Sequence, residues 1–336
     1  VVYAPQTSNV DVGIDHISFA VADVASSAAE FVDRYGFRVV ATGAEPDRFA
    51  TVAVRQRDIV LVLTQGISDD HPATVFTMRH GDGVSGIALR GADPGFTGRT
   101  LTAFGDVTHT FVARAKDEPW SLPGLVAVPA EPAQRLQPAQ RQELLSVDHI
   151  AVCLENGQLE PTVEFYRRTL GWRQIFEENI HVGTQAMQSK VVQSPNRQVT
   201  LTLLQPMTGT EPGQIDDFLK NHGGGGVQHL AFAVPDIVRA VAALGAAGVR
   251  FLHTPDAYYQ GLGQRLGLTT HPAERLREFD ILADRDHDGE LFQIFTRSEH
   301  PRRTLFMEII ERQGARTFGT NNIRKLYEAV ERQDRA

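Results

Sequence analysis

Three apolar segments of the chain each carry one side chain that apolar surroundings do not welcome. Val147-Asp148-His149-Ile150-Ala151-Val152 and Val227-Gln228-His229-Leu230-Ala231-Phe232 each set a histidine among strand-forming residues, and Thr304-Leu305-Phe306-Met307-Glu308-Ile309-Ile310 does the same with a glutamate. A carboxylate that cannot reach water must be paired, neutralised or bound to a metal. Two imidazoles and one carboxylate make the donor set of a facial triad for non-haem Fe(II), which leaves coordination positions open for chemistry. His149, His229 and Glu308 are therefore the candidate metal-ligating and catalytic residues, and Fe(II) is the candidate cofactor.

Strand periodicity says where these donors point. Side chains alternate faces, so His149 shares a face with Ala151 and Cys153, while His229 shares one with Ala231 and Ala233. Ile150, Val152, Leu230 and Phe232 take the opposite face and can pack under helices. Small residues beside the imidazoles leave room for a cavity, with the metal at the floor of a curved sheet.

Internal repeats supply the elements that must do this positioning. Asp15-His16-Ile17-Ser18-Phe19-Ala20-Val21 copies Asp148-His149-Ile150-Ala151-Val152-Cys153-Leu154, and Gly83-Val84-Ser85-Gly86-Ile87-Ala88-Leu89 parallels Gly226-Val227-Gln228-His229-Leu230-Ala231-Phe232. Helix-like stretches follow the first copies, at 28–35 and 162–170. Four units of strand, helix and several strands account for most of the chain. The expected fold is α+β, two domains of paired βαβββ modules, with the C-terminal half forming an open barrel around the metal. The expected division is an N-terminal domain at 1–128 that binds no metal, a Pro- and Gln-rich linker at 129–142, and a catalytic domain at 143–336 with a closing C-terminal helix. Gly86 stands where the second half has His229, and Glu308 has no visible N-terminal counterpart. His16 is thus expected to be a hydrogen-bonded core residue.

Composition narrows the function classes. The chain has 336 residues, 42% hydrophobic and 22% charged, with a formal net charge of −8. That is a globular composition, and the absence of a basic run argues against nucleic acid as a partner. No apolar stretch approaches the ~18 residues of a membrane-spanning helix. Cys153 is the single cysteine, so no internal disulfide forms, and a reducing cytoplasm is the expected location. A homo-oligomer is compatible with the sequence and not required by it.

The C-terminal half resembles the 4-hydroxyphenylpyruvate dioxygenase and 4-hydroxymandelate synthase family of the vicinal oxygen chelate superfamily. The likeness is carried by Gly223-Gly224-Gly225-Gly226-Val227-Gln228-His229, Asp256-Ala257-Tyr258-Tyr259, Leu291-Phe292-Gln293-Ile294-Phe295-Thr296 and Phe306-Met307-Glu308-Ile309-Ile310-Glu311-Arg312, and extends more weakly over nearly the whole chain. The resemblance implies that His149, His229 and Glu308 hold iron, and that 4-hydroxyphenylpyruvate and O2 are the small-molecule partners. It implies oxidative decarboxylation followed by hydroxylation of the ring, giving homogentisate, or of the benzylic carbon, giving 4-hydroxymandelate. Supply of 4-hydroxyphenylglycine for a peptide antibiotic is a pathway that this resemblance alone suggests.

The ring pocket is where the chain departs from the dioxygenase pattern. Dioxygenases of the family carry a Pro-x-Asn-Glu-Pro run where this chain reads Thr202-Leu203-Leu204-Gln205-Pro206, so Thr202 replaces a proline and Leu204 an asparagine. A family Gly-Asn-Phe, later followed by Ala-Leu-Phe, becomes Asn321-Asn322-Ile323-Arg324-Lys325-Leu326-Tyr327. Ile323 and Tyr327 then stand in place of two phenylalanines, and the pattern favours the synthase. Thr202, Leu204, Ile323 and Tyr327, with Ser189 and Gln293, are the candidate substrate-binding residues.

Other readings are structural. Ile323, Leu326, Tyr327 and Val330 have helical spacing, with Asn322 as the expected N-cap. Gln293 in an apolar strand needs a hydrogen-bond partner, which is substrate, a neighbour of the metal ligands or a backbone group. Gly223 to Gly226 precede a strand and so do not form a phosphate loop. His181, His222, His253, His271, His287 and His300 sit in polar or turn-like sequence and are expected to be solvated. Rival classes are an extradiol dioxygenase, a binding protein of the same superfamily and a glyoxalase-like isomerase.

Overall fold

The computed structural model describes residues 12–91, 97–115, 118–129, 143–319 and 322. Two eight-stranded sheets follow one another along the chain. The first is built from β1 (Gly13–Ala20), β2 (Arg38–Glu45), β3 (Phe49–Gln56), β4 (Ile59–Gly66), β5 (Gly83–Arg90), β6 (Thr100–Phe104), β7 (Val107–Val112) and β8 (Val126–Ala127), in the order β6-β7-β5-β1-β4-β3-β2-β8. The second uses β9 (Ser146–Cys153), β10 (Arg173–Val182), β11 (Gln185–Gln193), β12 (Thr200–Pro206), β13 (Gly226–Ala233), β14 (Leu282–Arg285), β15 (Glu290–Phe295) and β16 (Phe306–Gln313), in the order β10-β11-β12-β9-β13-β16-β15-β14. In each, the repeated His-bearing strand sits at the centre and pairs antiparallel with the first strand of the next unit. The fold is thus the α+β arrangement of paired βαβββ modules, with the C-terminal sheet curled as a half-barrel. Of the expected linker, 130–142 lies outside the described residues, as does all of the chain after Asn322.

Helices α1 (Val24–Asp33), α2 (Pro72–His80), α3 (Leu159–Leu170), α4 (Gln214–His222) and α5 (Ile237–Ala246) pack on the sheets, and the short α6 (Asp256–Tyr259), α7 (Leu262–Leu266) and α8 (Ala273–Glu278) fill the connection to β14. α1 and α3 begin several residues before the stretches expected from sequence. Asp23 explains the first, because its carboxylate accepts from the backbone N–H groups of Ala25 and Ser26 and caps the earlier turn. The second N-terminal unit departs from the repeat, passing from β5 to β6 without a helix among the described residues.

Alternation sorts the two faces of each sheet. Ile17, Phe19, Leu61 and Leu63 from one sheet join Ile150, Val152, Leu201, Leu203, Leu230 and Phe232 from the other in one buried cluster, so the halves share a helix-side core. Phe37 meets Phe232 across the boundary with ring centroids 6.3 Å apart. A polar pair lies in the same core: the ring of His109, at 0% exposure, is held 2.7 Å from the hydroxyl of the equally buried Tyr166. Burial pushes the His109 pKa down to about 4, so its ring is neutral there. Among the described residues no helix is long and apolar enough to cross a membrane.

Removing the hydroxyl by Tyr166→Phe leaves a buried imidazole nitrogen without a partner between the two halves. The expected cost is about 1–3 kcal/mol, read as a lower urea midpoint at unchanged slope, with turnover per folded molecule retained.

Candidate metal centre

Three adjacent strands bring the three predicted ligands together. In register, Ala231 of β13 lies between His149 of β9 and Glu308 of β16, while His229 is two residues before it on β13, opposite Ala151. All four residues lie on the concave face, and the alanine methyl at the middle of the row leaves the space into which the donors converge. Glu308 Oε2 is 3.2 Å from His149 Nε2 and 3.3 Å from His229 Nε2. One ligand atom from each of the three residues lies within 4.8 Å of the other two. The three side chains are buried, Glu308 to 1% exposure.

Neighbouring groups fix each donor. His149 Nδ1 bonds Asp148 Oδ1 at 2.8 Å, which presents Nε2 to the centre. Arg312 grips Asp148 with two bonds, Nε to Oδ2 at 2.7 Å and Nη2 to Oδ1 at 2.9 Å, and donates to the Thr317 carbonyl at 2.6 Å. Its guanidinium lies 5.1 Å from the centroid of Phe318, which meets His149 edge-on at 5.4 Å. His229 Nδ1 is 3.2 Å from Gln228 Oε1, and its ring stacks on Phe306 at 4.8 Å. Gln293 donates to Glu308 Oε1 at 2.8 Å and accepts from Asn322 Nδ2 at 2.8 Å.

The electrostatics favour a cation at this point. Burial on its own would raise the Glu308 pKa, but His149 and His229 hold it down at about 2. Burial would likewise depress His149, yet Glu308 and Asp148 lift it to about 9. For His229, burial prevails over Glu308 and its pKa is lowered. A carboxylate, one imidazolium and one neutral imidazole thus balance without a metal. With both imidazoles neutral, one net negative charge and three aimed lone pairs remain, a set that fits a divalent transition metal.

The remaining candidates fall into place less evenly. Ser189, Thr202 and Leu204 are buried and lie on the His149 face, since Thr202 pairs with Ala151, Leu204 with Cys153 and Ser189 with Leu204. Thr202 Oγ1 has no hydrogen-bond partner among the described residues. Ile323 and Tyr327, with the expected closing helix, lie outside the described residues. Asn322 is itself helical and its carboxamide serves Gln293, while the backbone groups that it would cap lie outside the described residues. His222 and His271 are not solvated. His222 is buried between Phe218 and His80, where burial and His80 push its pKa down to about 4, and His271 Nε2 is 2.8 Å from Glu311. Gly226 is required beside it, because a Cβ there would stand 2.4 Å from the His222 ring.

Two other clusters can be set aside. Glu311, near Asp236 and His271, already accepts from the Ile237 N–H and from Gln313, and Asp236 caps α5. Asp286, beside His287 and Asp288, spends both oxygens on four backbone N–H groups.

Sequence reasoning missed Asp148 and Arg312, although the repeat holds the signal. In the first half His16 bonds Asp15 at 2.6 Å and Asp15 bonds Arg114 at 2.5 Å. His16, Ala88 and Thr110 occupy one row in register, as His149, Ala231 and Glu308 do. The N-terminal counterpart of Glu308 is therefore Thr110, and the half that kept His16 has lost the other two donors.

A half-barrel of paired βαβββ modules with a His-His-Glu centre on its concave face defines a protein of the vicinal oxygen chelate class, and residues 146–294 match the Glyoxalase/Bleomycin resistance protein/Dioxygenase superfamily. The chain is 29% identical over 360 residues to a 4-hydroxyphenylpyruvate dioxygenase of Dictyostelium discoideum, covering 96% of this chain and 98% of that protein. It is 30% identical over 375 residues to one from Aspergillus fumigatus, covering 96% and 92%. A solved triple mutant of 4-hydroxymandelate synthase from Streptomyces coelicolor superposes with a TM-score of 0.84 at 37% identity, covering 97% of this chain and 99% of that one. The chain belongs to the 4-hydroxyphenylpyruvate dioxygenase family and is a dioxygenase.

The raised His149 pKa has a measurable sign. A metal must displace the proton that this ring carries below pH 9, so loading at pH 7 should release about one proton per ion, and affinity should rise about tenfold per pH unit up to about 9. In the metal-free protein His149 stabilises the fold fully below its ordinary 6.5 and loses that contribution as pH rises through about 9. Glu308 contributes above its ordinary 4.5 and loses its share as pH falls towards about 2. Titration in weak buffer with proton release near zero would contradict this assignment.

Proposed function

We propose that the chain is a 4-hydroxymandelate synthase, converting 4-hydroxyphenylpyruvate and O2 into 4-hydroxymandelate and CO2 with Fe(II) held by His149, His229 and Glu308. The observation that carries the reading is the convergence of those three donors on a concave face lined by small residues. Iron bound there would supply the redox chemistry for decarboxylation of a 2-oxo acid and hydroxylation of what remains. The protein's part is to bind, aim and exclude. Asp148 and Gln228 hold the two imidazoles in the tautomer that offers Nε2. Phe306, Phe318 and Phe295 surround the histidines with apolar edges that keep water away.

Benzylic rather than ring hydroxylation is supported by the pocket wall. Leu204 packs with Cys153, Ile180, Met187 and Phe218, so the position that carries a polar asparagine in the dioxygenase pattern is here part of an apolar cluster. Thr202 offers on the same face a hydroxyl with no partner among the described residues. The substrate ring then meets a different wall, which sets the carbon nearest the oxidant. The names of the Dictyostelium and Aspergillus relatives favour the second reading, ring hydroxylation to homogentisate.

Product analysis after incubation with Fe(II), 4-hydroxyphenylpyruvate and O2 decides between them. We expect 4-hydroxymandelate; homogentisate as the main product would overturn the synthase reading. Leu204→Asn combined with Ile323→Phe should shift a measurable share of product to homogentisate, and an unchanged ratio would remove the wall argument. Glu308→Ala should abolish turnover and leave the folded circular dichroism spectrum in place.

A further inference from the structure

The Asp256-Ala257-Tyr258-Tyr259 motif has no role in the site as described so far, yet its first tyrosine ends at the metal carboxylate through two intermediates. Glu308 uses its oxygens differently. Oε2 faces both imidazoles, while Oε1 accepts from Gln293 Nε2 at 2.8 Å. Which end of the Gln293 carboxamide meets that oxygen is decided by Asn322, whose Nδ2 donates to Gln293 Oε1 at 2.8 Å. A flipped Gln293 would set its oxygen against the carboxylate and its NH2 against that of Asn322, leaving two buried mismatches. Asn322, at 0% exposure, is oriented in turn by the Tyr258 hydroxyl, 3.3 Å from its Oδ1. That hydroxyl is itself pinned to both backbone polar groups of one residue: it accepts from the Ala283 N–H at 2.9 Å and shares its single proton between the Ala283 carbonyl at 2.8 Å and the Asn322 oxygen. Arg277 anchors the other end of α6 with two 2.7 Å bonds to Asp256.

We propose that Tyr258 and Asn322 are positioning residues that act through Gln293 to keep Glu308 a one-oxygen ligand. Neither touches the metal centre. With Oε1 held by Gln293, the carboxylate presents only Oε2, so more of the coordination sphere stays free for the reactants. This inference rests on the reading that His149, His229 and Glu308 bind the metal. The chain of bonds starts at the Ala283 backbone in β14, and its one titratable link between there and Glu308, the Tyr258 hydroxyl, is pushed up to about 12 by burial, so it should act as a fixed support across the working pH range.

Co(II) titration of the metal-free protein tests it, with affinity and visible absorption as readouts. Asn322→Leu should weaken Co(II) binding about tenfold or more, and should lower the intensity of the Co(II) bands as Glu308 turns both oxygens to the metal. Tyr258→Phe should change both readouts in the same direction and by less. A role confined to stability would lower the melting temperature and leave affinity and spectrum as in the wild type. Wild-type constants and spectra in both variants would overturn the proposal. Should Asn322→Leu fail to fold, Tyr258→Phe decides alone, and a wild type that binds no Co(II) would bring down the metal-site reading and this inference with it.

Discussion

One carboxylate buried to 1% in the middle of a sheet dictates much of what surrounds it. An isolated ion there costs several kcal/mol after relaxation, and only close partners repay it. The protein supplies them from four directions: two imidazoles on Oε2, a carboxamide on Oε1, and the Arg312–Asp148 pair that holds the nearer imidazole in place. These partners come from β9, β13 and β15 as well as from β16 itself, so the charge can be compensated only once the four strands are in register. The convergence of the three donors and correct folding are thereby tied to the same set of contacts.

The N-terminal half shows what remains when the carboxylate is absent. Asp15, His16 and Arg114 persist in the same order of contact, with one Arg–Asp bond in place of two, so the Asp–Arg pair has a structural use in a half that lacks the other two donors. Thr110 and Gly86 replace the other donors, and the concave face is covered by the chain's own Trp120, Leu122 and Leu125 packed on Ala41, Ala53, Val60 and Val62. The covering is close: a Cβ on Gly43 would stand 2.6 Å from the Gly124 carbonyl. A face with no buried charge to compensate can be closed by apolar side chains, whereas the second face has to stay open around its donors.

This contrast also explains what the sequence discloses. A lone histidine or glutamate in an apolar strand stands out because it violates the local pattern, and alternation then assigns its face, so the triad, the modules and the repeat are legible. Asp148 and Arg312 obey the local pattern, being polar residues near strand ends, and their importance comes from a partner 164 positions away. Asn322 shows the same limit: its sequence neighbours suggest a helix cap, and nothing near it announces that its side chain answers Gln293, 29 positions earlier. His222 reads as solvated because Asn221 and four glycines surround it, while its ring is buried by a stack formed with α2 of the other half. Local sequence shows what a residue follows, and burial depends on what arrives from elsewhere.

Site geometry and reaction choice meet at the smallest side chains. Ala231 lies in register between His149 and Glu308, and Ala151 stands opposite His229, so two methyl groups define the floor beneath the converging donors. A longer residue at 231 would enter the space into which three lone pairs point, at a position already 0% exposed and packed by Leu291, Ile310 and Ala315. The floor is therefore fixed by packing, and variation in outcome has to come from the walls, where Thr202, Leu204 and Ser189 line one side of the same concave face. With the floor fixed in this way, the freedom to vary the shape of the cavity lies with these wall residues.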